Sequence, residues 1–224
     1  VAGLQMGVAG VALATVIAQM VSAVLCFFKL KRMTDVFDLK FKYLKPDMEN
    51  IMTILRLGLP SGITQAIFSM AMVVVQSLTN SFGEMVIAAN VIIMRVDGFA
   101  MMPNFSFGTA MTTYSGQNVG AREFDRVHKG AKQGTIIAAG TSAAITGLIL
   151  IFGKYLMGIF TNTSELVTLS ANMMKILAVG YIAMAVTQSL SGVMRGAGDT
   201  MTPMWISIVT TVFIHLIQDT GLHA

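Results

Sequence analysis

The sequence predicts an all-α protein, a polytopic transmembrane bundle of about six membrane-spanning helices, on three observations. Hydrophobic residues make up 54% of the chain and charged residues only 12%, with a mean hydropathy of +0.72, a balance outside the range of soluble domains. Residues 1–28, 57–83 and 133–153 hold no charge at all; each run is long enough to cross a hydrocarbon core of about 30 Å as helix at about 1.5 Å per residue. The loop lysines and arginines gather in alternate connections, 29–56, 115–133 and 195–200, leaving Lys154 for the opposite side. By the positive-inside rule the basic side is cytoplasmic, so spans two, four and six run outward and spans three and five run inward.

Taken in order, residues 1–28 form the first apolar helix, beginning without the basic start and cleavage signal of a secretory leader and reading as a helix cut from a longer protein. Residues 29–56 mix seven basic with four acidic side chains and read as a solvated linker ending in a short amphipathic helix from Asp47. The second span, from residue 57, opens on Gly58, Pro60 and Gly62. The glycines are spaced for a close helix contact, and Pro60 withholds a backbone donor and bends the helix. The third span follows Asn80-Ser81-Phe82-Gly83 and carries Pro103 in its interior, a second expected bend. The fourth covers 133–153 and the fifth 166–194, the latter interrupted by Lys175. Asp199 or Thr200 caps the sixth span, which starts near Pro203.

Charge inside hydrocarbon is costly enough to mark function. Counted from the outer helix starts, Asp97 lies roughly 18 Å deep and Lys175 roughly 15 Å deep, both near the midplane, and the two are placed to pair. Arg95 and Asp97 stand about 200° apart around one axis, so they look into different surroundings. Asn90, Asp97 and Asn104 recur every seven residues, with Met94 and Met101 on or beside the same stripe. Such a polar and thioether face suits a pathway of broad specificity. The plainer alternatives stay open: methionines as core filler in a chain with 19 of them, asparagines as interhelical glue, and Asp97 with Lys175 as a structural pair.

Composition also excludes classes. A net charge of +4 resides in loops and needs no nucleic acid. Cys26 is the one cysteine, so no internal disulfide or cysteine metal site exists, and its apolar run argues for a buried thiol. His128, His215 and His223 fall in a loop, near a helix end and in the tail, too dispersed for a metal site or a Ser-His pair, so no metal, cofactor or enzyme activity is expected.

An ordered set of motifs then resembles a known family. Leu57-Gly58-Leu59-Pro60-Ser61-Gly62, Asn80-Ser81-Phe82-Gly83, Arg95-Val96-Asp97-Gly98-Phe99 with Pro103, Gly116-Gln117-Asn118-Val119-Gly120-Ala121 and Gly192-Val193-Met194-Arg195-Gly196-Ala197-Gly198-Asp199 are similar to segments of the multidrug and toxic compound extrusion (MATE) transporters. Val8-Ala9-Gly10-Val11-Ala12-Leu13-Ala14-Thr15 resembles the last helix of that family's first lobe. The resemblance makes 1–28 the end of the first lobe, 29–56 the cytoplasmic inter-lobe linker and 57–224 an incomplete second lobe, with the remaining helices of the full-length transporter as its partners in the lipid bilayer.

The resemblance implies a multi-pass plasma-membrane antiporter that exports cationic amphipathic drugs in exchange for H+ or Na+. Sodium-type members resembling this chain carry second-lobe carboxylates on the helices corresponding to 57–83 and 166–194, where this sequence has none. Asp97, with Asn90 and Asn104, is then expected to line the second-lobe half of the cavity, Lys175, Arg95, Met94 and Met101 to belong to the ion and substrate pathway, and Gly58, Pro60 and Pro103 to permit helix bending. A related flippase for lipid-linked sugars is the alternative, kept by Arg95 and Lys175; a membrane enzyme or a structural membrane subunit ranks behind both.

Overall fold

The computed structural model of the chain describes residues 7–33 and 45–221, excepting the side chains at 7, 8 and 212–221. The linker reading at 34–44, the tail with His223 and the side chain of His215 lie outside the described residues. What is described is helical: α1 (Gly7–Arg32), α2 (Met48–Ser81), α3 (Glu84–Gly120), α4 (Phe124–Gly158), α5 (Ser164–Gly196) and α6 (Met201–Gly221). The helices outrun the apolar stretches that announce them because backbone hydrogen bonding continues into the polar flanks once a turn is formed. Thus α2 begins at Met48, after an Asp47 carboxylate that accepts from the Glu49 N–H at 3.1 Å, and runs on through Pro60 without a break.

The chain divides into two units, residues 1–51 and 52–224. In the first, α1 buries none of its apolar span. Leu25 and Phe28 are exposed, and so is Cys26, against the expected buried thiol. The side chains of α1 are almost all apolar up to Phe28, a composition suited to lipid. Among the described residues, five helices, α1 to α5, are long and apolar enough to cross a membrane.

The second unit is an up-and-down array, because its connections at 82–83, 121–123, 159–163 and 197–200 are too short to return a chain across a bilayer. Two turns rely on a left-handed residue. Gly198 (φ 89°) closes α5, with the Asp199 N–H reaching back to the Met194 carbonyl at 2.9 Å, a C-terminal cap suited to glycine. Arg122 (φ 60°) does the same after α3, its neighbour Glu123 donating to the Asn118 carbonyl at 2.8 Å. A side chain in that region costs about 1 kcal/mol. Arg122→Gly is therefore expected to stabilise the protein by a few tenths to about 1 kcal/mol, read as a higher midpoint of thermal unfolding in detergent. At the start of α6 the cap falls to Asp199, which accepts from the Thr202 N–H at 3.0 Å. Hydrogen bonds from the Thr202 hydroxyl, then from its backbone, hold this carboxyl below the usual carboxylate range.

Helices α3, α4 and α5 pack on seams whose buried residues are spaced three and four apart: Ile93, Val96, Ala100, Asn104, Gly108, Met111 and Ser115 on α3, and Ala171, Met174, Ala178, Tyr181, Ala185, Ser189 and Gly192 on α5. This spacing keeps one face turned to its neighbour along the whole helix. Contact is closest where small residues meet. A Cβ on Gly192 would overlap the Gly108 carbonyl, and one on Gly196 would overlap the Thr112 carbonyl. Gly130 and Gly134 of α4 make the same kind of room for Tyr114 and Met111. The anticipated contact at Gly58 and Gly62 is absent: among the described residues nothing lies within 4 Å of a Cβ at either, since that face of α2 carries no opposing seam.

The main apolar cluster lies toward one end. Ile92, Ile93, Val96, Ala100, Ile149, Met157, Ala171, Met174, Ala178 and Tyr181 form it, drawn from the first half of α3, the second half of α4 and the first half of α5. The opposite end, which carries the turns at 121–123 and 197–200, holds the cavity.

Candidate functional site

Within the packed end, the charged group of α3 is held by a tyrosine. The Tyr181 hydroxyl donates to Asp97 Oδ1 at 2.6 Å, and Tyr181 is 3% exposed while Asp97 is half-buried. A neutral hydroxyl donating to a carboxylate makes a short, charge-assisted bond. Two turns along α3, the Asn104 amide donates to the backbone carbonyl of Tyr181 at 3.2 Å, so α3 grips this residue at both its side chain and its backbone. Asn104 Oδ1 is buried without a partner among the described residues, leaving one acceptor on the seam unused. On the other flank of α5, Thr146 of α4 donates to the Ala178 carbonyl at 2.9 Å, so this stretch of α5 is held from two helices.

The expected stripe is only partly assembled. Asp97 and Asn104 converge on Tyr181, and Met101 lies 3.7 Å from the Asn104 amide through its sulfur. Asn90 reaches instead across the α2–α3 hairpin to Gln76, at 3.5 Å, the outer limit of a hydrogen bond. Lys175, Arg95 and Met94 are exposed, and Asp97 bonds Tyr181 in place of Lys175. The reason is rotational: Met174, Ala178 and Tyr181 define the buried face of α5, and Lys175 sits about 100° off Met174. Both Pro60 and Pro103 lie inside unbroken helices.

The cavity at the other end occupies about 670 Å³ between α2, α3, α5 and α6, a size ordinary for a drug-sized ligand. Ile67, Phe68, Phe105 and Met184 supply its apolar surface. Ser61, Thr64, Thr109, Thr112 and Thr187 supply hydroxyls, yet each donates its proton to a carbonyl four residues back on its own helix, at 2.9 to 3.1 Å. What these side chains turn to the cavity is oxygen lone pairs. Gln65 and Gln188 add amides, and Arg195 is the charged residue of the lining. Neither Asp97, Asn90 nor Asn104 belongs to that lining.

The MatE family model matches residues 60–219. The chain belongs to the MatE family. This MatE chain is 30% identical over 207 residues to the probable multidrug resistance protein YoeA of Bacillus subtilis, covering 91% of its own length and 45% of that relative. It is 28% identical to the probable multidrug resistance protein NorM of Thermotoga maritima, covering 92% and 44%. Among solved structures, it superposes on MATE in complex with MaL6 at a TM-score of 0.82 and 24% identity, covering 92% of this chain and 47% of that one. MATE in the bent conformation gives 0.80 at 23% identity, with 92% and 46% covered. The MatE chain thus spans about half the length of these relatives, and the structures share its fold.

The curated relatives of the MatE chain are named as probable multidrug resistance proteins, and its long apolar helices are those of an integral membrane protein. Tyr181, Arg195 and the cavity hydroxyls escape a reading by charge and period. The signal for Tyr181 was a phenol in mid-span, whose hydroxyl needs a partner when buried. That for the hydroxyls was the density of Ser and Thr at 106–115 and 187–191, which single residues do not reveal.

Proposed function

We propose that this chain forms one half of an efflux antiporter that moves cationic amphipathic compounds out of the cell in exchange for H+ or Na+. The cavity wall carries the reading. The hydroxyls of Ser61, Thr64, Thr109, Thr112 and Thr187 are spent as donors and free as acceptors, so they stabilise ligand N–H groups and the positive surface of a quaternary ammonium, while Phe68, Phe105, Ile67 and Met184 take the apolar body. Because no carboxylate lines it among the described residues, a cation binds through dipoles and is released readily, as export demands. The relatives named as multidrug resistance proteins support the substrate class. Coupling is assigned to Asp97: protonation or ion capture weakens the charge-assisted bond that holds Tyr181 and shifts the balance between two arrangements of α3 and α5.

Thr109 lines the cavity and is exposed to it, so Thr109→Trp tests the reading by occupying part of the volume. Cells expressing the complete reading frame that encodes this chain are expected to lose efflux of a bulky cationic dye by about tenfold while a small quaternary ammonium is less affected, the difference tracking lost space. Equal efflux of both by the variant and the parent removes the cavity from the transport path.

A further inference from the structure

Arg195 is a guanidinium without an assigned partner. It is half-buried in the last turn of α5 and lines the cavity. Its Nη2 lies 3.7 Å from the point a Cβ on Gly108 would occupy, so the side chain folds back onto α3 where a snorkelling arginine would extend outward. Among the described residues no carboxylate pairs with it; the acid next to it in sequence, Asp199, is exposed and committed to the α6 cap. Five donors in a fixed fork, partly withdrawn from water and facing a cavity, are incomplete without oxygen acceptors.

Its surroundings can complete an oxyanion. Gln188, Ser191 and Arg195 follow one another at three and four residues on α5 and all line the cavity, as does Ser207 of α6. Unlike the back-bonded threonines, the hydroxyls of Ser191 and Ser207 donate to no carbonyl among the described residues, so their protons remain available. The site stands at the end of the unit bearing the basic turns, the level at which the positive-inside rule sets the phosphates of the cytoplasmic leaflet. We propose that Arg195, Ser191, Ser207 and Gln188 form an oxyanion site at the cavity mouth that takes a phosphate group, delivered by a lipid headgroup or by a free phosphate. Its occupation neutralises the charge of the lining, so a cationic ligand meets a wall of acceptors without repulsion. The site itself depends on the cavity alone and not on the efflux reading.

The test uses the protein from the complete reading frame, purified without phosphate, with dihexanoyl phosphatidylglycerol and inorganic phosphate as separate probes and binding measured by titration calorimetry. Arg195→Gln is expected to weaken binding by about tenfold or more, the loss of a charge-assisted hydrogen bond, with Arg195→Lys between variant and parent. The double variant S191A/S207A should weaken binding severalfold without altering the unfolding midpoint, and it decides the matter if Arg195→Gln fails to fold. Binding of phosphatidylglycerol alone identifies a headgroup site, and binding of both probes a site for free phosphate as well. Binding of neither probe, or equal binding by parent and variants, overturns the proposal. Because no transport is measured, that outcome is separable from a failure of dye efflux.

Discussion

Gly192→Val is expected to take apart the junction of α3 and α5. Its Cβ would fall on the Gly108 carbonyl oxygen, with Met111 Cβ 3.2 Å away on the same helix. Backbone cannot rotate aside as a long side chain can, so the helices must separate over several turns, opening a seam that also contains Asn104 and the Tyr181 carbonyl. Overpacking of this kind costs about 1–3 kcal/mol or more, roughly a fivefold to hundredfold change in the folded-to-unfolded ratio where each ~1.4 kcal/mol is a factor of ten. The checks are the unfolding midpoint in detergent and the amount of protein recovered from the membrane. Gly140→Ala, also inside a helix but where a Cβ meets nothing within 4 Å, is the control and should lower neither, a small rise in the midpoint being expected from the better helix former. If Gly192→Val likewise lowers neither, the close approach of α3 and α5 is refuted.

Asp97→Asn and Tyr181→Phe should both impair efflux, and in different ways. An amide keeps the shape of the carboxylate but cannot cycle its charge, so Asp97→Asn is expected to abolish the dependence of efflux on the ion gradient and reduce the rate by about 10²-fold or more. Phenylalanine in place of Tyr181 removes the 2.6 Å hydrogen bond and leaves Asp97 able to take up its ion without that competitor. Efflux should then persist at a reduced rate, with its pH or sodium optimum displaced. Dye efflux across imposed proton and sodium gradients separates the cases. Undiminished efflux with unaltered ion dependence in Asp97→Asn would reject the coupling role.

Much of this architecture was legible in the sequence because hydrocarbon permits few solutions. Long uncharged runs, short Asn/Gly turns and the alternation of basic loops lead to antiparallel helices, and α2 to α6 follow that order. Helix rotation was not legible, since it depends on which faces find a partner. The small-residue rule pointed to Gly58 and Gly62, where the structure leaves open space, when Gly192 and Gly196 satisfied it equally well and carry the contact. Depth placed Lys175 opposite Asp97, but depth says nothing of azimuth, and the buried face of α5 presents Tyr181. The cavity was hidden for a related reason: its hydroxyls act as a set contributed by separate helices, and each alone is an ordinary Ser or Thr.

The separation of a dry, apolar end from a hydroxyl-lined cavity at the other has an electrical consequence. Where water enters a membrane protein, the local dielectric is high and little of the transmembrane voltage is dropped; the voltage falls across the part that excludes water. Here that insulating layer is the end built from Ile93, Val96, Ala100 and Ala178, and Asp97 sits within it. At about 2.3 kcal/mol per charge for each 100 mV, a charge placed at that carboxylate senses a share of the membrane potential, whereas one in the cavity lies almost outside the field.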